Sequence, residues 1–394
     1  MIDEAVLDDV DALAEVDRQG SLRVLASAGA QVRAVLSQEH DLRRVRDDGR
    51  PRSVLVAGLG GSAVVGEVVA ALAGAGSSVP VQRRRGGPLP GWVGSLDLVV
   101  AVSMSGRAPE PLQIAAEAAR RGARLVSVCR EGSPLADVTA RARGTVLAVP
   151  RTGLPGVPPA SSRTGLWALL APVLLACGAA EVLDVDPVDL AAAADRLDEE
   201  AETCRPSSPG FVNPAKVLAL ELDGVVPVVL SDGDAAHAAA ARVVSMLART
   251  ARVPAVRGTL PEDAGDVVSL FDGQFATGRP GARSHDVDPL FADPFLDGPA
   301  GPSLRLLLLS DTEHAPHSAP VRSVAARAGV RTSGLAATVG RPLERFASLV
   351  ARTDFAATYL ALGGGTDPSR SPHLADLREV WASGDRAAGE SDEG

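Results

Sequence analysis

The chain has 394 residues, 46% of them apolar and 22% charged, with a net charge of −10. That length and composition specify a globular protein with more than one core and exclude a disordered one. The acidic balance argues against a nucleic-acid surface, and three widely spaced cysteines (Cys129, Cys177 and Cys204) fit free thiols of a reducing cytoplasm, not a disulfide framework.

The chain opens Met1-Ile2-Asp3-Glu4, which is acidic and lacks the basic–apolar pattern of a signal peptide. Residues 3–46 carry Val, Leu and Ala at helical spacing, with breaks predicted near Gly20 and Gly29. From Ser53, strand-like runs at 53–57, 79–83, 97–102, 124–129 and 145–149 alternate with helix-like runs at 62–73, 109–121 and 134–142. This βαβ series predicts an α/β fold, a doubly wound parallel sheet with helices on both faces. In the flavodoxin-like strand order 2-1-3-4-5, strands one and three lie side by side and the chain reverses direction between them, which is where ligands sit.

The first and third strands each end in a loop of small residues. The first loop is Gly58-Leu59-Gly60-Gly61-Ser62-Ala63, and the second is Ser103-Met104-Ser105-Gly106. Glycine lets backbone N–H groups approach an oxyanion closely, a helix N-terminus adds positive potential, and serine hydroxyls add donors that rotate to suit. The predicted topology brings both loops over one ligand, so Gly60, Gly61, Ser62, Ser103 and Ser105 form the candidate phosphate site.

Residues 150–163 are a Pro/Gly/Ser loop, and 166–180 read as a buried helix despite Pro172, too short to span a bilayer. Residues 181–204 are predicted as a helix. Apolar strands resume at 226–230, with further apolar runs at 252–256, 266–271 and 304–309 and helical stretches at 234–249, 318–328, 340–351 and 353–362. Residues 276–303 are rich in Gly, Pro and Asp, with Phe271, Phe275, Phe291 and Phe295 at or near them. They read as a surface insertion pinned by a few rings, with a lid as the alternative. Residues 384–394 are a polar acidic tail, read as disordered.

Taken together, Gly58-Leu59-Gly60-Gly61-Ser62, Leu89-Pro90, Ser103-Met104-Ser105-Gly106, Asn213-Pro214-Ala215-Lys216-Val217-Leu218-Ala219, Pro261-Glu262, Tyr359-Leu360-Ala361-Leu362 and Asp367-Pro368 carry a resemblance. In their order and spacing, from about residue 50 onward, they resemble the sugar isomerase (SIS) fold. Within it they are most similar to the two-domain bifunctional phosphoglucose/phosphomannose isomerases. The resemblance implies two SIS-like three-layer αβα domains at 49–180 and 211–383. A helical segment at 1–48 precedes them and a helical linker at 181–210 joins them. It also implies a hexose 6-phosphate ligand, a homodimer, and no cofactor, metal, nucleic-acid or membrane partner. On its pattern Ser62, Ser103 and Ser105 hold phosphate, Arg163 contacts the sugar, and Ser369 and Arg378 keep the donor type beside the sugar.

The chain departs from that pattern at three places. Where the second loop of the family continues Asn-Thr, this one reads Arg107-Ala108; Arg107 either replaces the lost hydroxyl as a bidentate phosphate donor or is a solvated loop residue. The family's catalytic glutamate position is Arg249, and its histidine position is Gly265. Aldose–ketose isomerisation needs a base at the carbon beside the carbonyl and an acid/base to open the ring. Arginine cannot be that base, and glycine has no side chain to protonate a ring oxygen. Glu262, Asp263, Asp266, Glu221 and His237 are conceivable substitutes, of which Glu262 is the catalytic candidate carried forward. The residue chemistry therefore favours a sugar-phosphate-binding protein with weak or no turnover. An isomerase with relocated acid/base groups is the alternative.

Other constellations carry less. Gly58-x-Gly60-x-x-Ala63 also fits a dinucleotide fingerprint, but Gln82-Arg83 stands where an acid is wanted, which leaves only a 2′-phosphate (NADP) reading. Glu313-His314-x-x-His317 lacks a third metal partner. Lys216, the one lysine, is the sole residue able to form a Schiff base. Arg83-Arg84-Arg85 reads as an exposed strand end.

Overall fold

The computed structural model describes residues 2, 4–38, 40–74, 76–150, 154–276, 302–313, 315–377 and 379–380. Arg378, His314, Phe291, Phe295, nearly all of 276–303 and the 384–394 tail lie outside the described residues.

Five short helices open the fold: α1 (Glu4–Asp8), α2 (Val10–Val16), α3 (Ser21–Ala26), α4 (Ala28–Leu36) and α5 (Arg43–Asp47). The break expected near Gly29 falls at Ser27 instead, and Gly29 sits inside α4. A Cβ on Gly29 would stand 2.2 Å from Asp198 Oδ1 and 2.6 Å from the Ala194 carbonyl oxygen, so its glycine serves close helix packing, not a break.

The first sheet follows as β1 (Val54–Gly58), α6 (Ala63–Ala73), β2 (Val81–Arg84), β3 (Leu98–Ser103), α7 (Pro109–Arg120), β4 (Arg124–Cys129), α8 (Pro134–Arg141) and β5 (Thr145–Ala148). All its pairings are parallel and its order is β2-β1-β3-β4-β5, as the alternation predicts. The central strands β1 and β3 are apolar, valine-rich runs buried on both faces, the pattern of a covered parallel sheet. Val54 and Val56 pack with Val64, Val65 and Val68 of α6, whereas Leu55 and Ala57 pack with Ile114 and Ala115 of α7. The helices after β1 and β3 thus leave on opposite faces. Gly58 pairs with Val102, so the two loops begin at adjacent strand ends.

Two helices, α9 (Leu166–Ala179, with Pro172 inside) and α10 (Pro187–Thr203), and then α11 (Pro214–Leu222) lead to the second sheet. It comprises β6 (Val225–Asp232), α12 (Asp234–Met246), β7 (Val256–Thr259), α13 (Ala264–Ser269), β8 (Ser303–Ser310), α14 (Ser318–Arg327), β9 (Arg331–Ala336) and finally α15 (Pro342–Gly363). Its order is β7-β6-β8-β9, again all parallel. One apolar cluster contains α6, α9, α12 and α15 together with inward residues of both sheets, so the two α/β units share a helical layer.

The second half departs from expectation at four places. The run at 266–271 is helical, not a strand. Only Val256 of the run at 252–256 joins β7, because a π-helical turn, Leu247–Ala251, extends α12 and ends at Arg252 with φ +61°. β9 carries no apolar run and goes unpredicted. The two helices expected at 340–351 and 353–362 are one.

Candidate functional site

At the first loop, β1 ends in a single 3-10 turn, Gly60–Ser62, before α6. Gly60 has φ +60°, a left-handed conformation that glycine adopts without strain. A Cβ on Gly61 would stand 1.9 Å from the Ser162 carbonyl oxygen and 2.9 Å from Arg249 Nη1, so only glycine fits this turn. Ser62 is buried and leads into α6 without turning its hydroxyl onto the helix's own amides.

In the second loop, Gly106 has φ +65°, and a Cβ there would stand 2.0 Å from Ser133 Oγ. Its N–H donates to Ser103 Oγ at 3.1 Å, and the Arg107 N–H donates to Ser105 Oγ at 3.3 Å. Both hydroxyls accept from the loop's own backbone, which leaves each O–H to donate outward. Ser103 is buried, while Ser105 and Arg107 are exposed on the turn. No side chain caps α7 either.

The second sheet treats its equivalent helix ends differently. Asp311, just past β8, accepts from the Ala235 and Ala236 amides of α12 at 2.7 and 3.3 Å. Asp232, at the end of β6, accepts from the His317 and Ser318 amides at 3.1 and 2.9 Å and from Ser318 Oγ at 3.0 Å. Burial lifts the Asp311 carboxyl above its ordinary value, against the amides that pull it down. Carboxylates of the chain itself therefore fill the anion positions at this switch point. Among the described residues, no such carboxylate accepts from the first amides of α6 or α7.

Arg249 lies on the π-helical turn after α12, and its guanidinium reaches across to the first sheet. All three of its terminal atoms are 3.6 Å from where a Gly60 Cβ would be, and Nη2 donates to Ser162 Oγ at 3.3 Å. The placement follows from the wider turn and from Ser162, 87 residues away; a π-helical turn is a common feature of functional sites that no local pattern betrays.

The remaining expected residues are placed as follows. Arg163 turns its guanidinium onto the Ser369 carbonyl and the Ser371 hydroxyl, and its own carbonyl accepts from Arg242 Nη2. Ser369 donates from both its N–H and its hydroxyl to Asp367 Oδ1, at 2.9 and 2.6 Å. Both residues line a cleft of about 530 Å³, together with Ser161, Thr250, Asp367 and Arg370. Glu262 is exposed on the turn after β7 and makes no hydrogen bond or ion pair among the described residues; a Cβ on the nearby Gly265 would meet nothing within 4 Å. His237 is half-buried with Nδ1 2.6 Å from Thr259 Oγ1. Burial, reinforced by Arg257, pushes its imidazole below the ordinary value, which keeps it neutral at pH 7.

Four further side chains have structural engagements. Lys216 is fully buried and donates to Asp8 Oδ1 and to the Pro206 and Ser208 carbonyls at 2.8–2.9 Å. Arg83 and Arg85, read as an exposed strand end, converge on the buried carboxylate of Glu67. That engagement occupies the arginine the NADP reading needs. Cys129 is buried at the end of β4, and burial pushes its thiol up, away from nucleophilic use.

Comparison with known proteins agrees with the fold. Residues 211–380 match the bacterial phospho-glucose isomerase C-terminal SIS domain. A bifunctional phosphoglucose/phosphomannose isomerase of Caldicellulosiruptor bescii is 26% identical over 209 residues, 51% of this chain; the chain spans about 57% of the length of that curated relative. Among solved structures, a hypothetical protein of Thermus thermophilus superposes with a TM-score of 0.64 at 17% identity, covering 96% of this chain and 93% of its own. A glucose-6-phosphate isomerase-like protein of the same organism superposes with a TM-score of 0.54 at 21% identity, covering 95% and 99%. At such identities these structures speak for the fold alone. No helix among the described residues is long and apolar enough to cross a membrane.

Proposed function

We propose that the chain is a divergent member of the SIS-domain phosphoglucose/phosphomannose isomerase family, to which it is similar over residues 211–380, and that it binds a hexose 6-phosphate on the two loops of its first sheet and turns it over weakly or not at all. One observation carries the reading. The helix ends at the first switch point are uncapped and lined by Ser62, Ser103 and Ser105, whereas those at the second are closed by Asp232 and Asp311. A dianion on the first loops would meet amides and hydroxyls.

The loss of turnover follows from Arg249 and Gly265. A guanidinium stands against the glycine turn, and the open backbone at 265 offers no proton donor. Removing one acid/base group costs roughly 10²–10⁴ in rate. Arg163, Ser369 and Arg378 as sugar contacts and Arg107 as a further phosphate donor belong to the same proposal. So do a homodimeric state and a cytoplasmic setting, the latter supported by three buried free thiols.

The test combines ligand-induced thermal stabilisation with solvent exchange. Fructose 6-phosphate and mannose 6-phosphate should raise the unfolding midpoint, while in deuterated water their C1 and C2 protons should exchange no faster than the buffer blank. Exchange above the blank would establish an active isomerase with a relocated base, with Glu262 the first residue to replace. Stabilisation by NADPH with none by sugar phosphates would overturn the reading.

A further inference from the structure

We propose that Arg85 and Arg257 form a second anion site, built from none of the loop residues, that takes a phosphate-class anion between the open edges of the two sheets. The site is independent of the hexose-phosphate reading above.

Three guanidinium groups meet at one buried carboxylate. β2 is the edge of the first sheet and β7 the edge of the second, and the helices beside them, α6 and α12, pack on each other. Glu67 stands on α6. Arg83, within β2, donates Nη1 to Glu67 Oε2, and Arg85, just past β2, donates Nη2 to Oε1 at 3.3 Å. Both carboxylate oxygens are then engaged. Arg257 arrives from β7 with Nη1 3.9 Å from Oε2, too far for a hydrogen bond, and makes no other hydrogen bond or ion pair among the described residues. One carboxylate balances one guanidinium, and its tight partner is Arg83. Arg85 and Arg257 are left, one from each half of the chain. Their side chains are 66% and 31% exposed against 6% for Glu67, so a solute reaches both cations more easily than it reaches the carboxylate. Asp234, in the first turn of α12, is the other carboxylate whose charge acts here: with Glu67 it opposes Arg257 and Arg83 at the His237 imidazole. Three arginines therefore face two carboxylates and a neutral imidazole, and the balance is cationic. Arginines on an open strand edge ordinarily stand in solvent and guard it. These two are held within 4 Å of one point. A phosphate settling there meets two planar forks already gathered, which suit its several oxygens and its double charge.

Calorimetric titration with pyrophosphate at low ionic strength tests this, in the Gly61→Ala protein, whose first loop is blocked by the added methyl. Pyrophosphate should still bind. Adding Arg257→Gln should weaken that binding roughly tenfold or more, the loss of one charge-assisted contact, and it breaks no hydrogen bond of the fold. Adding Glu67→Gln instead should tighten binding, because the carboxylate that competes with the ligand for the same guanidinium groups is gone. The two variants thus move the affinity in opposite directions, which a purely structural role for the cluster does not predict. Absence of binding, or an affinity that Arg257→Gln leaves unchanged, would overturn the proposal. Weaker binding in a folded Glu67→Gln protein would overturn it as well, and the Arg257→Gln comparison decides the matter if Glu67→Gln does not fold.

Discussion

Replacing Asp354 with Ala is expected to cost about 3–5 kcal/mol of folding stability, a large part of the roughly 5–15 kcal/mol by which a domain is held folded. Arg242 of α12 is fully buried and grips Asp354 of α15 with Nε at 2.9 and 3.2 Å and Nη2 at 2.8 Å, while Nη2 also holds the Arg163 carbonyl. Without the carboxylate, a guanidinium stays in the shared helical layer with no countercharge. The expected signature is a lower urea midpoint. Arg242→Met combined with Asp354→Leu should recover much of the loss, because the double variant removes the buried charge along with its partner. The pair also bears on the site, since the carbonyl it holds sits next to Ser162, the residue that anchors Arg249. The Asp354→Ala protein should therefore bind hexose phosphates more weakly even where it is still folded. A single variant that unfolds at the wild-type midpoint would show that the pair contributes nothing net.

Gly61→Ala is expected to weaken hexose 6-phosphate binding by roughly a hundredfold, the loss of one or two charge-assisted hydrogen bonds. The added methyl would stand 1.9 Å from a backbone oxygen and 2.9 Å from Arg249 Nη1. The oxygen cannot swing aside, so the turn must move and take its amides and Ser62 with it. Overpacking of this kind also costs about 1–3 kcal/mol of stability, so binding should be measured at a temperature where both proteins are fully folded. Gly265→Ala is the matched control. A Cβ there meets nothing within 4 Å, and affinity should not change. Equal affinities for the wild-type and Gly61→Ala proteins would mean that the ligand does not use this turn.

The first sheet was legible in the sequence because its signals are local. Most of its strands are short apolar runs rich in valine, the loops after β1 and β3 announce themselves by glycine and serine, and the predicted limits lie within two residues of those found. The second sheet was less legible, for physical reasons that can be named. β9 reads Arg331-Thr332-Ser333-Gly334-Leu335-Ala336, with no apolar run, because every residue of this edge strand but Ser333 is exposed or only partly covered. The helix α15 looked like two because Arg352-Thr353-Asp354 interrupts its apolar pattern. Inside the fold each member of that trio has a partner: Arg352 pairs with Glu200 at 2.6 Å, Thr353 Oγ1 donates to the Leu349 carbonyl at 2.7 Å, and Asp354 accepts from Arg242. At the site, the serine and glycine loops could be read from spacing. The position of the Arg249 guanidinium could not, because it depends on a π-helical turn and on a partner 87 residues away. Nor did the sequence disclose that Arg163 is held by the Ser369 carbonyl and the Ser371 hydroxyl.

The most direct measurement is a crystal structure of the protein with glucose 6-phosphate. It should place the phosphate between the two loops, with its oxygens within hydrogen-bond reach of the Ser62 and Ser105 hydroxyls and of the amides that open α6. A phosphate bound elsewhere, or loops left empty at saturating ligand, would contradict the account.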